Sequence, residues 1–273
     1  MSSDLLRVVD PKGYFAKYLE EGINPDGSYC DNFQPMRFMQ GKSSGCGSSL
    51  VRSGGVTVST SINASVAYES DGQLVNVEVV QSSLLTETET NEVKDILEQL
   101  FEKELFFPRN SVKARNSSGE ELPLEWILNI EVKILNADGC VLDAVVFSVV
   151  SALRNTELPI LELNHEADDE SPIERDQIIV KEQKMDLKDI KYLLMCSTFG
   201  FFQKTGNDKE IMVVSPSTEL QEHCTSVWSI IVGHENSIVF SKVRGTLKTI
   251  GHYKELAEIA RHRRESFMRD YKL

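Results

Sequence analysis

The segment at residues 127–155 constrains the fold of this chain more than any other part of the sequence. A β-type run is followed by a turn at Asp138-Gly139 and then by a helix of small and aliphatic residues. A strand, a tight turn and a helix in this order direct backbone N–H groups toward a phosphate. However, the next residues, Cys140, Val141 and Leu142, supply neither a positive charge nor a hydroxyl group. The segment therefore predicts the scaffold of an anion site without its chemistry, as in a protein that kept a catalytic fold and lost the reaction.

The composition is that of a soluble globular protein with a strong acidic bias. The chain has 273 residues, 41% of them hydrophobic and 26% charged, and its formal net charge is −13. Phosphate backbones are bound by displacing counterions with Lys and Arg, so a chain this acidic is a poor nucleic-acid binder on its own. No apolar run approaches the length of a membrane-spanning helix, and we expect no membrane partner.

The cysteines argue against a disulfide framework and against a structural metal. Their number is odd, their spacings are wide and no Cys-x-x-Cys motif occurs; they are Cys30, Cys46, Cys140, Cys196 and Cys224. We therefore expect reduced thiols in a nuclear or cytosolic compartment.

The pattern along the chain predicts one compact domain, residues 1–273, built from two similar halves. The N-terminal half, about 24–156, and the C-terminal half, about 157–273, are each predicted to form a mixed sheet covered by helices on one side. Turns at 54–55 and 71–72 indicate that the first three strands form hairpins in a meander. Predicted helices span 10–22, 91–106, 142–155 and 247–271; predicted strands span 47–52, 56–67, 74–81, 124–135, 158–164, 177–182, 193–202, 210–214, 227–232 and 237–244.

Four motifs in a fixed order give the chain a resemblance to a known family. They are Asn24-Pro25-Asp26-Gly27-Ser28, the segment 47–58, the segment 138–159 and the segment 215–222. Their order and spacing resemble those of RNase PH-like proteins, most closely the ring subunits of the eukaryotic RNA exosome. The resemblance implies an α+β, RNase PH-like fold, of the type of ribosomal protein S5 domain 2. The first motif departs from the family's Arg-Pro-Asp-Gly-Arg signature, because both arginines are replaced.

The resemblance also indicates where active members of the family hold their catalytic groups. Those members attack an RNA 3′ end with inorganic phosphate, which a Ser or Thr and an Arg clamp after the Asp-Gly turn, while a later Asp serves as the acid. Here Val141 and Leu142 occupy the clamp positions, and Val227 occupies the position of the acid. An aliphatic side chain cannot replace a guanidinium bound to phosphate. We therefore predict no catalytic residue, no cofactor and no metal site; the carboxylates near the acid position in sequence lie away from it, at Glu219, Glu222 and Glu235.

The function that the resemblance implies is that of a catalytically inactive structural subunit. Its expected partners are other RNase PH-like subunits in a six-membered ring, RNA-binding cap subunits and a separate 3′-to-5′ nuclease that receives RNA threaded through the ring. The resemblance places such a protein in the nucleus, nucleolus and cytoplasm. Two enzyme hypotheses are kept as alternatives: a phosphate-dependent 3′-to-5′ exoribonuclease, and a subunit that lends residues to a composite site with its ring partner. A homo-oligomer that trims tRNA ends would need the same clamp and acid residues that are missing here.

We predict structural rather than catalytic roles for several basic and nucleophilic residues. Lys242 and Arg244, with Lys248, are predicted to lie on an exposed strand edge, and Arg261, His262, Arg263 and Arg264 on the exposed face of the last helix. The acidic segment 84–89 would repel RNA. His223 and Cys224 are predicted to be strand neighbours pointing to opposite faces, so they cannot form a nucleophile–base pair. Trp126 and Trp228 are predicted to lie in the core or an interface.

Overall fold

A computed structural model describes residues 3–41, 45–68, 74–163, 177–187, 193–204, 206, 210–246 and 251–270. Its helices are α1 (Ser3–Val9), α2 (Pro11–Leu19), α3 (Glu87–Glu102), α4 (Val141–Arg154), α5 (Thr218–His223) and α6 (Gly251–Asp270). Its strands are β1 (Met36–Gly41), β2 (Gly47–Ser53), β3 (Gly55–Tyr68), β4 (Val75–Val80), β5 (Lys113–Arg115), β6 (Glu121–Asp138), β7 (Glu157–Leu163), β8 (Ile178–Asp186), β9 (Met195–Gln203), β10 (Glu210–Val214), β11 (Ser226–Val232) and β12 (Ile238–Gly245). Single 3-10 turns occur at Arg109–Val112 and His234–Asn236.

The first sheet is mixed and has the order β1-β2-β3-β6-β4, with β5 paired to the start of β6. Its strands are antiparallel except for β4, which runs parallel to β6. The predicted meander is wrong at β4, because β6 lies between β3 and β4 in the sheet. The long β6 pairs with nearly the whole of β3, which is a more extensive ladder than β4 could form. β4 therefore pairs with the other edge of β6.

The second sheet is antiparallel, with the order β10-β9-β11-β12, and a separate two-stranded sheet pairs β7 with β8. The prediction of a mixed sheet in this half is therefore wrong. Residues 247–250 and 271, which the predicted last helix includes, lie outside the described residues. No helix in the described part of the chain is long and apolar enough to span a membrane.

Helix α4 packs against strands of both sheets, β2 and β3 on one side and β9 on the other. Every residue from Asp143 to Leu153 is buried, which explains why the sequence of this helix has no polar face. Small hydroxyl residues allow the close approach to the first sheet. The Ser148 hydroxyl lies 2.9 Å from that of Ser49 and 2.7 Å from that of Thr60, so these buried polar groups satisfy one another.

A buried ion pair joins the start of α4 to α6. The carboxylate Oδ2 of Asp143 lies 2.8 Å from Nη1 of Arg263, and the two side chains are only 1% and 8% exposed. Asp143 also accepts hydrogen bonds from the Thr198 backbone N–H, at 3.2 Å, and hydroxyl, at 2.7 Å. Arg263 donates to the Cys196 carbonyl at 2.8 Å and stacks over the Phe33 ring. This network connects α4, β9, α6 and the loop before β1.

The ion pair corrects the prediction that the basic cluster of the last helix is an exposed face. Arg263 is buried in the pair with Asp143, and Arg264, 5% exposed, donates to the Leu193 carbonyl at 2.7 Å. Arg261 and His262 do lie nearer solvent, and Arg261 pairs with Glu258 at 2.9 Å. Sequence spacing alone could not separate these neighbours, because the acidic partner of Arg263 lies on a helix 120 residues away.

Local capping signals mark the starts of two predicted helices, α2 and α3, whereas α1 has no predicted counterpart. Asp10 caps α2 by accepting from the Gly13 N–H at 2.9 Å, and Thr86 and Glu89 form a capping box at the start of α3. The capping box extends the predicted helix upstream, so the acidic segment 84–89 contributes its first turn. Trp126 and Trp228 are each 5% exposed, which confirms that they lie in the core.

We expect Asp143→Ala to destabilise the purified chain by about 3–5 kcal/mol, because it leaves the buried Arg263 without its partner. The double variant Asp143→Leu/Arg263→Met removes both charges and is expected to lose less stability than the single variant. Urea unfolding followed by circular dichroism measures the free energies of unfolding.

Asp95→Ala on the exposed side of α3 is the matched control, with an expected change within about 0.5 kcal/mol. A single Asp143 variant as stable as this control would show that the ion pair does not hold the two halves together.

Candidate functional site

The four sequence motifs meet around one cavity of about 460 Å³. Each contributes part of the wall: Asn24, Pro25 and Asp26 from the first; Ser53, Gly54 and Gly55 from the β2–β3 turn; Asp138, Gly139 and Cys140 from the third; and Ser215, Ser217 and Glu219 from the fourth. Gly55 is required where the walls touch, because a Cβ there would lie 2.6 Å from the Asp138 carbonyl oxygen. Motifs that are far apart in the sequence thus define one site.

Helix α5 holds the turn at the centre of this site. The Gly139 N–H donates to the Thr218 hydroxyl at 2.8 Å, and that hydroxyl donates to the Ala137 carbonyl at 2.9 Å. Gln221 Nε2 donates to the Gly139 carbonyl at 3.1 Å. The φ of Gly139 is +138°, a value that favours glycine. One N–H that the sequence pattern directs toward a phosphate is therefore bound within the protein.

Sequence reasoning missed α5, which supplies Thr218 and Gln221. The available signal was Ser217 directly before it, whose hydroxyl caps the helix by accepting from the Leu220 N–H at 3.3 Å. At six residues the helix is too short to show a periodic apolar stripe.

A second cavity, of about 210 Å³, shares Gly139 and Cys140 with the first and holds the three positions named from the resemblance. Val141 and Leu142 begin α4, and Val227 lies at the start of β11; all three side chains line this cavity. Val227 is 8% exposed, and the other two are partly buried. The structure therefore brings together the two positions that the resemblance assigns to the clamp and the position that it assigns to the acid, and each carries an aliphatic side chain.

The charges around the second cavity oppose one another. Lys242 of β12 forms an ion pair with Glu92 of α3, and Arg244 of β12 is the cross-strand neighbour of Val227. Hydrogen bonds from the Thr86 N–H and hydroxyl, followed by the charges of Arg244 and Lys242, hold the pKa of Glu89 below its ordinary value. Arg244 is exposed as predicted, but Lys242 is half-buried in its ion pair, and Lys248 lies outside the described residues.

The carboxylates that follow the fourth motif have separate surroundings. Glu219 is held by Arg7 of α1, whose Nε lies 2.9 Å from its Oε2, and this hydrogen bond lowers the pKa of Glu219. Glu222 is exposed at the end of α5 and lines the second cavity, whereas Glu235 is exposed on the 3-10 turn. Glu222 is therefore the member of this group that shares a cavity with Val227.

The prediction that His223 and Cys224 are strand neighbours is wrong, because His223 ends α5 and Cys224 is its C-terminal cap. The short helix forms here because Ser217 caps it and strand pairing begins only at Ser226. Burial raises the pKa of Cys224 to about 12, so its thiol is protonated at neutral pH. Burial also raises the pKa of Cys140 and Cys196 well above the ordinary value.

Comparisons with known proteins agree with this architecture. Residues 32–159 match domain 1 of the 3′ exoribonuclease family, RNase PH. A curated relative, exosome complex component Rrp42 of Methanothermobacter thermautotrophicus, is 31% identical over 114 residues, which span 41% of this chain and 36% of that protein. The chain thus aligns with about a third of the length of this relative.

Solved structures show the fold over nearly the whole chain. An archaeal exosome core chain matches with a TM-score of 0.72 at 18% identity, covering 99% of both chains. A chain of the Archaeoglobus fulgidus exosome with RNA bound to the active site matches at 0.65 and 21%, over 95% of this chain and 99% of that one. Rice (Oryza sativa) Rrp46 matches at 0.59 and 13%, over 89% and 97%. The chain therefore has the fold of these exosome core chains, and the predicted α+β, RNase PH-like fold class is confirmed.

We expect Cys140, Cys196 and Cys224 to resist alkylation by iodoacetamide in the folded chain at about pH 8, because thiols with raised pKa values form little thiolate. Peptide mass spectrometry of the native protein measures the modification at each site, and denaturing guanidinium provides the control in which all five cysteines react. Rapid native labelling of Cys140 would contradict the raised pKa of this thiol.

Proposed function

We propose that this chain is a catalytically inactive ring subunit of an RNA exosome core. The observation that carries the proposal is that Val141, Leu142 and Val227, the residues that the resemblance assigns to the phosphate clamp and the acid, line one cavity. The RNase PH match and the similarity to archaeal exosome chains support the place in a ring.

The physical argument against catalysis concerns both steps of phosphorolysis. Phosphate carries a charge that must be held by donors or cations, and bidentate bonds from a guanidinium are the usual means. Proton transfer to the leaving group requires an acid within hydrogen-bond reach. Valine and leucine supply neither function. The nearby cation Lys242 is engaged by Glu92, so the cavity lacks the excess of positive charge that would attract phosphate.

The role proposed for the chain is to hold the ring together and to guide RNA. It would contact other RNase PH-like subunits in a six-membered ring, with RNA-binding cap subunits above it and a separate 3′-to-5′ nuclease that receives the RNA. The acidic composition agrees with a subunit whose RNA-binding charge comes from its neighbours. Such a complex would serve rRNA maturation and mRNA decay in the nucleus, nucleolus and cytoplasm.

The subunit type is part of the proposal. The residues Leu142-Asp143-Ala144, Ala152-Leu153-Arg154-Asn155 and Leu158-Pro159 most resemble the ring subunit type called forty-three, with the forty-two and forty-five types as alternatives. The comparisons include an Rrp42 and an Rrp46, which agree with an exosome ring subunit without selecting among these types.

A second candidate function is phosphate-dependent 3′-to-5′ exoribonuclease activity, either alone or through a composite site shared with a ring partner. Two observations favour it: Glu222 lines the same cavity as Val227, and Lys242 and Arg244 lie at its wall. Under the first proposal the isolated chain releases no nucleoside diphosphates from RNA in the presence of phosphate, whereas the second requires this release from the chain or from the chain with its partner.

Leu142→Arg is expected to leave the chain without phosphorolytic activity, because a restored guanidinium would still lack an acid at Val227. The assay follows phosphate-dependent release of nucleoside diphosphates from a single-stranded RNA, with an active RNase PH-like enzyme as the positive control. Measurable phosphorolysis by this single variant would show that the acid lies elsewhere, with Glu222 as the first residue to test.

Affinity purification of the tagged chain from its own cells tests the place in the ring. We expect several other RNase PH-like subunits and RNA-binding cap proteins to co-elute in near-equal amounts at moderate salt. Recovery of the chain alone, or only with copies of itself, would contradict the proposal and favour the homo-oligomeric alternative.

A further inference from the structure

Strands β1 and β2 present four exposed side chains on the face of the first sheet that points away from α4. Arg37 lies opposite Arg52, and Met39 lies opposite Leu50 in the antiparallel ladder. Their neighbours Phe38 and Val51 point to the other face, where Phe38 contacts Phe147 of α4. We call Arg37, Met39, Leu50 and Arg52 the β1–β2 surface.

The charge of the β1–β2 surface is opposite to that of the chain as a whole. The formal net charge is −13, yet two exposed arginines lie directly across from each other. Like charges at opposed positions of a ladder are unfavourable. Among the described residues neither arginine forms an ion pair, and Arg52 donates only to the Gly54 carbonyl, at 3.3 Å. The surface therefore carries positive charge that the protein itself does not neutralise.

The two apolar residues beside these charges are both exposed. Met39 is 71% exposed and Leu50 is 39% exposed. Arg and Met are enriched where proteins meet, and a flexible methionine adapts to different partner side chains. Single-stranded RNA would instead be held by aromatic rings for base stacking, and these four residues include none. The composition of the surface thus favours a protein partner of negative charge over RNA.

The position of β1 indicates how such a partner would bind. β1 is an edge strand of the first sheet, with β2 on one side. An extended segment can pair with an edge strand and place alternate side chains on one face. Arg37 and Met39 are two residues apart, so they would meet side chains two residues apart in the added strand.

From this geometry we propose that the β1–β2 surface docks an extended, acidic segment of another protein. The segment pairs along β1 and places a carboxylate beside Arg37 and Arg52, and an apolar side chain two residues away on Met39 and Leu50. This inference does not rest on the absence of catalysis or on a place in a ring.

Site-specific photo-crosslinking tests the proposal in the full-length chain. Met39 is replaced by p-benzoyl-phenylalanine in the protein expressed in its own cells, and the crosslinked peptide is sequenced by mass spectrometry after irradiation. The expected product is a segment of another protein in which Asp or Glu alternates with apolar residues. A crosslink to RNA, to a basic segment or to a second copy of this chain would overturn the proposal, as would the absence of any crosslink.

Charge reversal supplies the second test. Arg37→Glu/Arg52→Glu is expected to lower the crosslink yield at position 39 roughly tenfold, because the carboxylate of the partner then faces like charge. The control Lys184→Glu/Arg269→Glu makes the same change in net charge at exposed positions on β8 and α6 and should leave the yield unchanged. Thermal unfolding of both variants verifies that they fold. An equal loss of yield in the two variants would show that net charge, rather than this surface, controls binding.

The two proposals can fail independently. Affinity purification of Arg37→Glu/Arg52→Glu reports whether ring subunits still co-elute, while the crosslink at position 39 reports the acidic segment. Loss of the crosslink with the ring retained assigns the surface to a partner outside the ring. A ring that never forms contradicts the proposed function, but leaves the crosslink result valid.

Discussion

The buried contact between Asp143 and Arg263 is the interaction on which the arrangement of the two sheets depends. Asp143 lies in the first turn of α4, where a negative charge is favoured by the helix dipole. Its carboxylate takes the Thr198 N–H and hydroxyl as well as the guanidinium, so the second sheet and α6 are fixed to the helix that supports the first sheet. Burying either charge alone would be costly, and the pair persists because each group satisfies the other.

The same turn of α4 borders the candidate site, so structure and site are coupled at one place. The two residues before Asp143, Val141 and Leu142, have aliphatic side chains that line the second cavity. The Gly139 N–H donates its hydrogen bond to the Thr218 hydroxyl. The strand, turn and helix around Gly139 have the order found at anion sites. However, one backbone N–H of the turn is already hydrogen-bonded, and the next two side chains of the helix carry no donor. The turn still has an architectural role, because it connects four motifs that are distant in the sequence.

The basic residues of this acidic chain have different surroundings, and these differences bear on its partners. Arg263 is buried in an ion pair, Arg7 is bound to Glu219, and Lys242 is bound to Glu92. Arg37 and Arg52 are exposed beside accessible apolar side chains and form no ion pair among the described residues. Net charge alone would not reveal this positive surface, since only pairing in the folded chain separates engaged cations from available ones.

Local signals in the sequence determined the helices, most strands and the family resemblance, because caps, turns and apolar periodicity act over a few residues. Asp10 and the run after Gly139 are such signals. The third motif led to Val141 and Leu142, and the fourth motif led to Val227. Tertiary structure decided what depends on distant partners. It placed β6 between β3 and β4, made the second sheet antiparallel and formed the short α5. It also buried Arg263, which the sequence pattern had predicted to be exposed, in an ion pair with Asp143. Ladder pairing and ion pairing join residues as much as 212 positions apart, and no local pattern encodes which of the possible partners will pair in the folded chain.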